Sequence, residues 1–296
     1  MRNILFLFCC GILISACSGG GDEGGPGAPA PSGPQDFTSW VNTPSDGTVR
    51  LTGAAKSAAY TFDFGTSSID VGQILDDDDA YIEVTFKDGV PTRIVVGNTN
   101  APIDINEATG AAFSESGLLV AGQTANGEDT IVVANPDPSG FQYQTFGLWA
   151  TGYNTGAGTV GVGSFGSATP AADMPSGDLT ATYNGFATGF VVNETGYGGT
   201  VSDIEIVADF GNSGVTIATS NTEFVDIDTL APTGSAASMD YTGSGTMSGS
   251  GFTANVSSFV GSGTMEGQFY GPGAVEVGGT FSTDGLVKHV GSFGAN

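Results

Sequence analysis

Thirty-one acidic residues against six basic ones in a chain of 296 give a formal charge of −25. So small a basic complement excludes nucleic acid as a partner, because phosphate binding needs a basic footprint. Glycine (49) and proline (13) are abundant, but 19 Phe, 8 Tyr and many Val, Ile and Thr exclude low-complexity disorder.

The chain opens on one basic residue, Arg2, followed by an apolar run from Ile4 to Ile14 that only Gly11 interrupts. The run is too short to span a hydrocarbon core, which takes roughly 20 residues as a helix. A basic start and a short apolar stretch predict a secretory signal over residues 1–16. Ile14-Ser15-Ala16-Cys17 then fits the lipobox of bacterial lipoproteins, in which the cysteine thiol is diacylated (palmitate-type chains) and becomes the new N-terminus. The alternative is a plain signal peptide that happens to contain a cysteine. Cys9 and Cys10 leave with the signal, so that alternative would export a chain whose one thiol, Cys17, is open to oxidation. Acylation removes the difficulty. Losing Arg2 moves the formal charge to −26, so adhesion of the protein surface to anionic lipid is excluded and the acyl chains are the expected membrane contact. Ser18, rather than Asp, after the cysteine favours the outer membrane over the inner.

Residues 17–35 predict a tether. Ser18 to Gln35 holds no side chain able to build a core; Gly supplies flexibility and Pro extension. Fully stretched it reaches at most ~60 Å.

Residues 36–140 predict a first, smaller β-rich domain. Tyr60 to Phe64 alternates aromatic and polar residues, as a half-buried strand does. Ala80 to Phe86 and Pro91 to Val96 flank Lys87-Asp88-Gly89, an Asp-Gly hairpin. Leu118 to Ala121 and Thr130 to Ala134 are two further strands. The run Asp76-Asp77-Asp78-Asp79 reads as a solvated acidic turn before the Ala80 strand; a calcium loop is the alternative, but the regular ligand spacing is absent. Asn135 to Gly140 is a run of breakers and the expected domain boundary.

From Phe141 to Asn296 hairpins follow one another. Tyr143 to Ala150 pairs with Thr159 to Phe165. Asp178 to Tyr183 and Phe186 to Val192 are separated by Asn184-Gly185, a strong two-residue hairpin signal. Ile204 to Phe210 and Val215 to Thr219 flank Gly211 to Gly214. Met239 to Met247 and Phe252 to Val256 flank Ser248 to Gly251, and Gly263 to Tyr270 and Ala274 to Phe281 flank Gly271-Pro272-Gly273. The pentapeptide Gly-Ser-Gly-Thr-Met occurs at 243–247 and 261–265 and marks two similar strands. The expected fold class is all-β: an up-and-down antiparallel barrel over 141–296, because closure removes exposed edges.

Catalysis finds little support, and no enzyme is expected. The one histidine, His289, lies beyond the last expected strand and reads as a surface residue; no Gly-x-Ser-x-Gly elbow occurs. One His and one acylated Cys cannot build a tetrahedral zinc shell. Two Gly-x-Gly-x-x-Gly matches, Gly156 to Gly161 and Gly161 to Gly166, open no helix and are expected by chance in so glycine-rich a chain. No cofactor is expected. The acidic surface keeps a β-rich chain soluble and monomeric, or steers it toward a basic ligand.

Gly267 to Phe281 (Gly-Gln-Phe-Tyr-Gly-Pro-Gly-Ala-Val-Glu-Val-Gly-Gly-Thr-Phe) resembles the closing motif of transferrin-binding-protein-like surface lipoproteins, in which Phe-Tyr-Gly-Pro turns into Ala-x-Glu-x-Gly-Gly-x-Phe. Thr169-Pro170 with Met174 to Gly177, and Ala208-Asp209-Phe210-Gly211, are similar as well. The resemblance implies an eight-stranded barrel preceded by a handle domain, displayed on the cell outer membrane, with Phe269 and Phe281 inside the barrel. Relatives bind transferrin, complement regulators or haem-related ligands. The long ligand-binding loops of such receptors are missing from 141–296, and there is room for one handle and one barrel rather than two lobes. No ligand-contact residue carries over, so the ligand stays open: a macromolecule or an iron-related solute. A structural or assembly lipoprotein with no soluble ligand is the rival reading. A solute binder should keep an open cavity, whereas a protein-binding or structural barrel should be filled by Phe and Tyr.

Overall fold

The computed structural model describes residues 36–296 except 44, 67, 194–195 and 227–230. The signal, Cys17 and the tether expected over 1–35 lie outside the described residues. Residues 37–296 form one compact unit built from two antiparallel sheets.

The first sheet takes β1 (Gly47–Asp63), β2 (Ser68–Val71), β3 (Leu75–Lys87), β4 (Val90–Gly97), β5 (Ile103–Asn106), β6 (Ala112–Ser116), β7 (Leu119–Gln123), β8 (Thr130–Ala134), β9 (Gln144–Thr151) and β10 (Ala157–Gly166). They lie in the order β5-β4-β3-β1-β10-β9-β8-β7-β6, with β2 beside β1. The path curls until its end strands β5 and β6 are joined by a short 3-10 turn at Glu107–Thr109, so the sheet is nearly closed. Leu51, Ile82, Ile94, Ile105, Ile131, Trp149 and Phe165 pack inside it. The Trp149 indole N–H donates to the Ala101 carbonyl at 2.7 Å, so the ring's one donor is paired.

The second sheet takes β11 (Thr180–Asn193), β12 (Gly196–Asp209), β13 (Gly214–Val225), β14 (Pro232–Ser235), β15 (Thr242–Ser248), β16 (Gly251–Ser257), β17 (Gly261–Tyr270), β18 (Glu276–Gly285) and β19 (Lys288–Ala295). Each long strand pairs with the next, β19 returns to β11, and β12 pairs with β13; only the short β14 stands off this circuit. The result is the closed eight-stranded up-and-down barrel. Period-2 patterning drives it: Phe252, Ala254 and Val256 face in while Thr253, Asn255 and Ser257 face out. The outer face of β15 and β16 is Ser, Thr and Asn. An outer-membrane barrel is apolar there, so this barrel is not built to sit in lipid.

Four expectations need correction. Asn184-Gly185 makes no hairpin, because β11 runs straight through it. A Cβ on Gly185 would lie 2.0 Å from the Gly294 carbonyl oxygen, so glycine is there to let β19 approach, and Asn184 exchanges two 3.1 Å backbone hydrogen bonds with Asn296. The last strand is not the one ending near Phe281: β19 follows it and closes the barrel. The acidic run is no turn, since Asp76 to Asp79 lie within β3. Finally, the first sheet extends to Gly166, so the chain changes sheet between Gly166 and Thr180 rather than at 135–140, where the breakers form the short helix α1 (Pro136–Ser139).

Candidate functional site

The barrel lumen is the first place to seek a ligand. Tyr183, Ile206, Ile217, Tyr241, Phe252, Met265, Phe269, Phe281 and Phe293 fill it as one buried cluster. Phe269 and Phe281 point inward as expected. Toward one end of the lumen sits His289, 3 % exposed rather than on the surface. Its Nε2 lies 2.9 Å from the Thr200 hydroxyl and its Nδ1 lies 3.1 Å from the Tyr241 hydroxyl, which is 2.9 Å from that of Thr283. Thr200 donates to the Gly189 carbonyl at 3.3 Å. The consistent tautomer therefore places the proton on Nε2 and lets Nδ1 accept from Tyr241. Burial depresses this imidazole to about 3, so it is neutral. Among the described residues its hydrogen-bond partners are Thr200 and Tyr241, neither a carboxylate nor a serine. Its chemistry is that of a satisfied core group.

The barrel and the first domain are clamped together. Phe146, Leu148 and Val162 of the first sheet share one buried cluster with Phe186, Phe190 and Val290 of the barrel. Glu276, 2 % exposed on β18, accepts from the backbone N–H of Gln142 at 2.5 Å and of Tyr143 at 3.1 Å. Desolvation raises this carboxyl to about 7, although those N–H groups pull the other way. Gln144 Nε2 donates to the carbonyls of Val277 and Ala295, both at 3.1 Å. The paired glycines of the closing motif serve this contact: a Cβ on Gly278 would meet Gln144 Oε1 at 2.2 Å. Buried Lys56 on β1 reaches Asp76 at 2.6 Å and Glu266 of the barrel at 2.9 Å. The same edge holds a cleft of about 490 Å³ bordered by Asp78, Asp79 and Glu266. Asp77 turns aside to accept from the Thr99 N–H at 2.6 Å, which lowers its pKa. Among the described residues no three His, Cys, Asp or Glu side chains are arranged to hold a metal ion.

Leu179 and Val275 are about half exposed at one end of the barrel, and the two most exposed large apolar side chains lie at the other. Phe259, in the turn between β16 and β17, is 83 % exposed, and Leu286, between β18 and β19, is 71 % exposed. The two turns are bonded to each other, Leu286 N–H to the Val260 carbonyl at 2.7 Å. Two residues on, Lys288 Nζ reaches the Val71 carbonyl of β2 at 3.4 Å, so an arm of the first domain borders this end. An apolar crevice between that arm and β11 and β19 measures only about 40 Å³. Ligand pockets for drug-sized molecules run from about 300 Å³ upward, so this end offers a surface, not a pocket. Both side chains bury little against the rest of the chain. No signal in the sequence singled out Phe259 or Leu286.

Residues 174–296 match the family model described as the C-lobe and N-lobe beta barrels of Tf-binding protein B. The match spans the whole barrel. A search of curated proteins returns no match. Among solved structures, a double mutant of the vaccine antigen transferrin binding protein B from Haemophilus parasuis is similar at 20 % identity, with 86 % of this chain, 46 % of that one and a TM-score of 0.48. The chain thus spans about half the length of that relative. The haemoglobin receptor HpuA from Kingella denitrificans, in complex with human haemoglobin, is similar at 14 % identity, with 86 % of this chain, 88 % of that one and a TM-score of 0.41. The similarity to the Tf-binding protein B barrels rests on the match over 174–296. It explains the closing motif: Phe269 fills the lumen, the Gly271-Pro272-Gly273 turn follows, and Glu276 begins the strand that holds the first domain.

Proposed function

We propose that the protein is a non-catalytic binding module, lipid-anchored through Cys17 on the outer membrane and exposed at the cell surface, that captures a macromolecule with the barrel end carrying Phe259 and Leu286. The observation behind this reading is the pairing of a filled lumen with exposed apolar turn tips on one end. A haem-sized solute has no room in the lumen, which disfavours the iron-related solute. Transferrin- and haemoglobin-binding relatives make a host protein the first class to test. A basic partner face would complement a surface with a charge near −26, and association with it should slow as salt rises. The test immobilises the folded protein and compares capture from serum and secretions by the wild type and by F259S/L286S. The reading expects one discrete captured protein, with at least about tenfold less on the variant, and an unchanged Tm. Equal capture by both would remove the barrel end from the reading. No capture by either would favour a structural or assembly role. Protease treatment of intact cells checks display: protection of the protein would contradict surface exposure.

A further inference from the structure

The nearly closed first sheet leaves an opening that its own side chains do not fill. Between its rim and α1 lies a cavity of about 220 Å³. A dry cavity of about 150 Å³ already admits benzene, so this one has room for an aromatic or branched-alkyl group. Ile82, Val84, Ile94 and Val133 form the apolar floor. Trp40 and Phe86 form one wall, edge to face with ring centroids 6.3 Å apart. The Trp40 indole N–H is already used on the Gln144 carbonyl at 2.7 Å, so the ring presents its hydrocarbon to the cavity.

The mouth differs from the floor. Glu115 and Asp137, both exposed, border it, and neither forms an ion pair among the described residues. Asp46 and Asp88 lie in the turns beside the lining residues Ser45 and Gly89, with Lys87 the one cation adjoining them. An apolar floor with carboxylates around the rim suits a ligand of two parts. Its hydrocarbon end leaves water for the floor, and its charged end stays at the mouth, partly hydrated and attracted by the rim. Aromatic walls add attraction for a cation. An anionic amphiphile meets repulsion at the same rim.

We propose that this cavity binds a small organic cation, an aromatic or branched-alkyl group ending in a protonated amine. The site lies in the first domain, apart from the barrel end assigned to the macromolecule, so either assignment stands if the other fails.

The full-length protein titrated with 2-phenylethylammonium, by calorimetry and by Trp40 emission, tests this. The other tryptophan, Trp149, is fully buried and outside the lining. Saturable one-to-one binding with a Trp40 spectral shift is expected. Uncharged 2-phenylethanol should bind roughly tenfold more weakly, and 3-phenylpropanoate more weakly still. E115Q/D137N, which alters only exposed side chains, should cost the ammonium roughly tenfold while leaving 2-phenylethanol unchanged. Absence of saturable binding, equal affinity for alcohol and ammonium, or an E115Q/D137N variant that binds the ammonium like wild type would each overturn the proposal.

Discussion

His289 and Glu276 are buried titratable groups displaced in opposite directions, and their effects on stability overlap in one pH window. His289 falls to about 3 in the folded protein from an ordinary 6.5. Below pH 6.5 the unfolded chain therefore takes up a proton that the folded chain refuses. Its contribution is whole above pH 6.5 and is lost as pH falls toward 3. Glu276 rises to about 7 from 4.5. Between pH 4.5 and 7 the folded chain keeps a proton that the unfolded chain has released. This contribution is whole below pH 4.5 and is lost as pH climbs through 7. From pH 4.5 to 6.5 the two slopes oppose, each about 1.4 kcal/mol per pH unit at most, so wild-type stability should be nearly flat there. E276Q removes one slope, and urea midpoints for that variant should fall steadily as pH drops from 6.5 to 5. A flat E276Q profile would show that His289 is not the neutral core group described above.

The elements legible in the sequence were those that keep water on one face. β16 alternates Phe252, Ala254 and Val256 with Thr253, Asn255 and Ser257, and its period-2 signal is unbroken. β19 was not legible because both its faces are covered: His289, Gly291 and Phe293 look into the lumen, while Val290 packs on the first domain and Ser292 donates to the Gly147 carbonyl at 2.8 Å. With no alternation left, its histidine reads as a surface residue. Asn184-Gly185 misled for a related reason, since local turn chemistry says nothing of a distant strand that needs the glycine. Gly185→Ala tests that account. A Cβ there would meet Gly294 and Ala295 backbone at 2.0 and 2.6 Å, neither free to move without parting β11 from β19. The expected loss is about 2–3 kcal/mol, measured as a lower urea midpoint with m unchanged. A tolerated alanine would mean that β19 is held less tightly than the geometry requires. The candidate site was less legible than the fold, because exposure of Phe259 and Leu286 is set by which turns the barrel groups at one end.

At the scale of the molecule, a boundary at 140 would divide what the sheet joins, since β9 pairs with β8 and β10 with β1 across it. Phe146, Leu148 and Val162 bury Phe186, Phe190 and Val290 across the two sheets, and Glu276 of the barrel takes its N–H donors from Gln142 and Tyr143, at the entry to β9. Each large apolar side chain buried there contributes about 1.5–3 kcal/mol, so the six together are comparable with the net stability of a whole domain. Two consequences follow. On the proposed anchoring, blocking acylation with Cys17→Ala should release the folded protein into the soluble fraction with its Tm unchanged, because residues 37–296 form a compact unit by themselves; retention in the membrane fraction would contradict anchoring through Cys17. Second, handle and barrel should unfold together. Calorimetry on residues 36–296 should give one transition whose van't Hoff and calorimetric enthalpies agree. A barrel cut free at residue 167 would expose Phe186, Phe190 and Val290 as an apolar stripe and leave the Glu276 carboxyl desolvated without its partners. That fragment should aggregate at concentrations where 36–296 stays monomeric. A soluble fragment with the parent's Tm would mean that the shared core is an adhesion of two independent domains, and a partner could then reorient them on binding. The clamp instead predicts one rigid body, with the turn tips of the barrel held at a fixed place relative to the first domain.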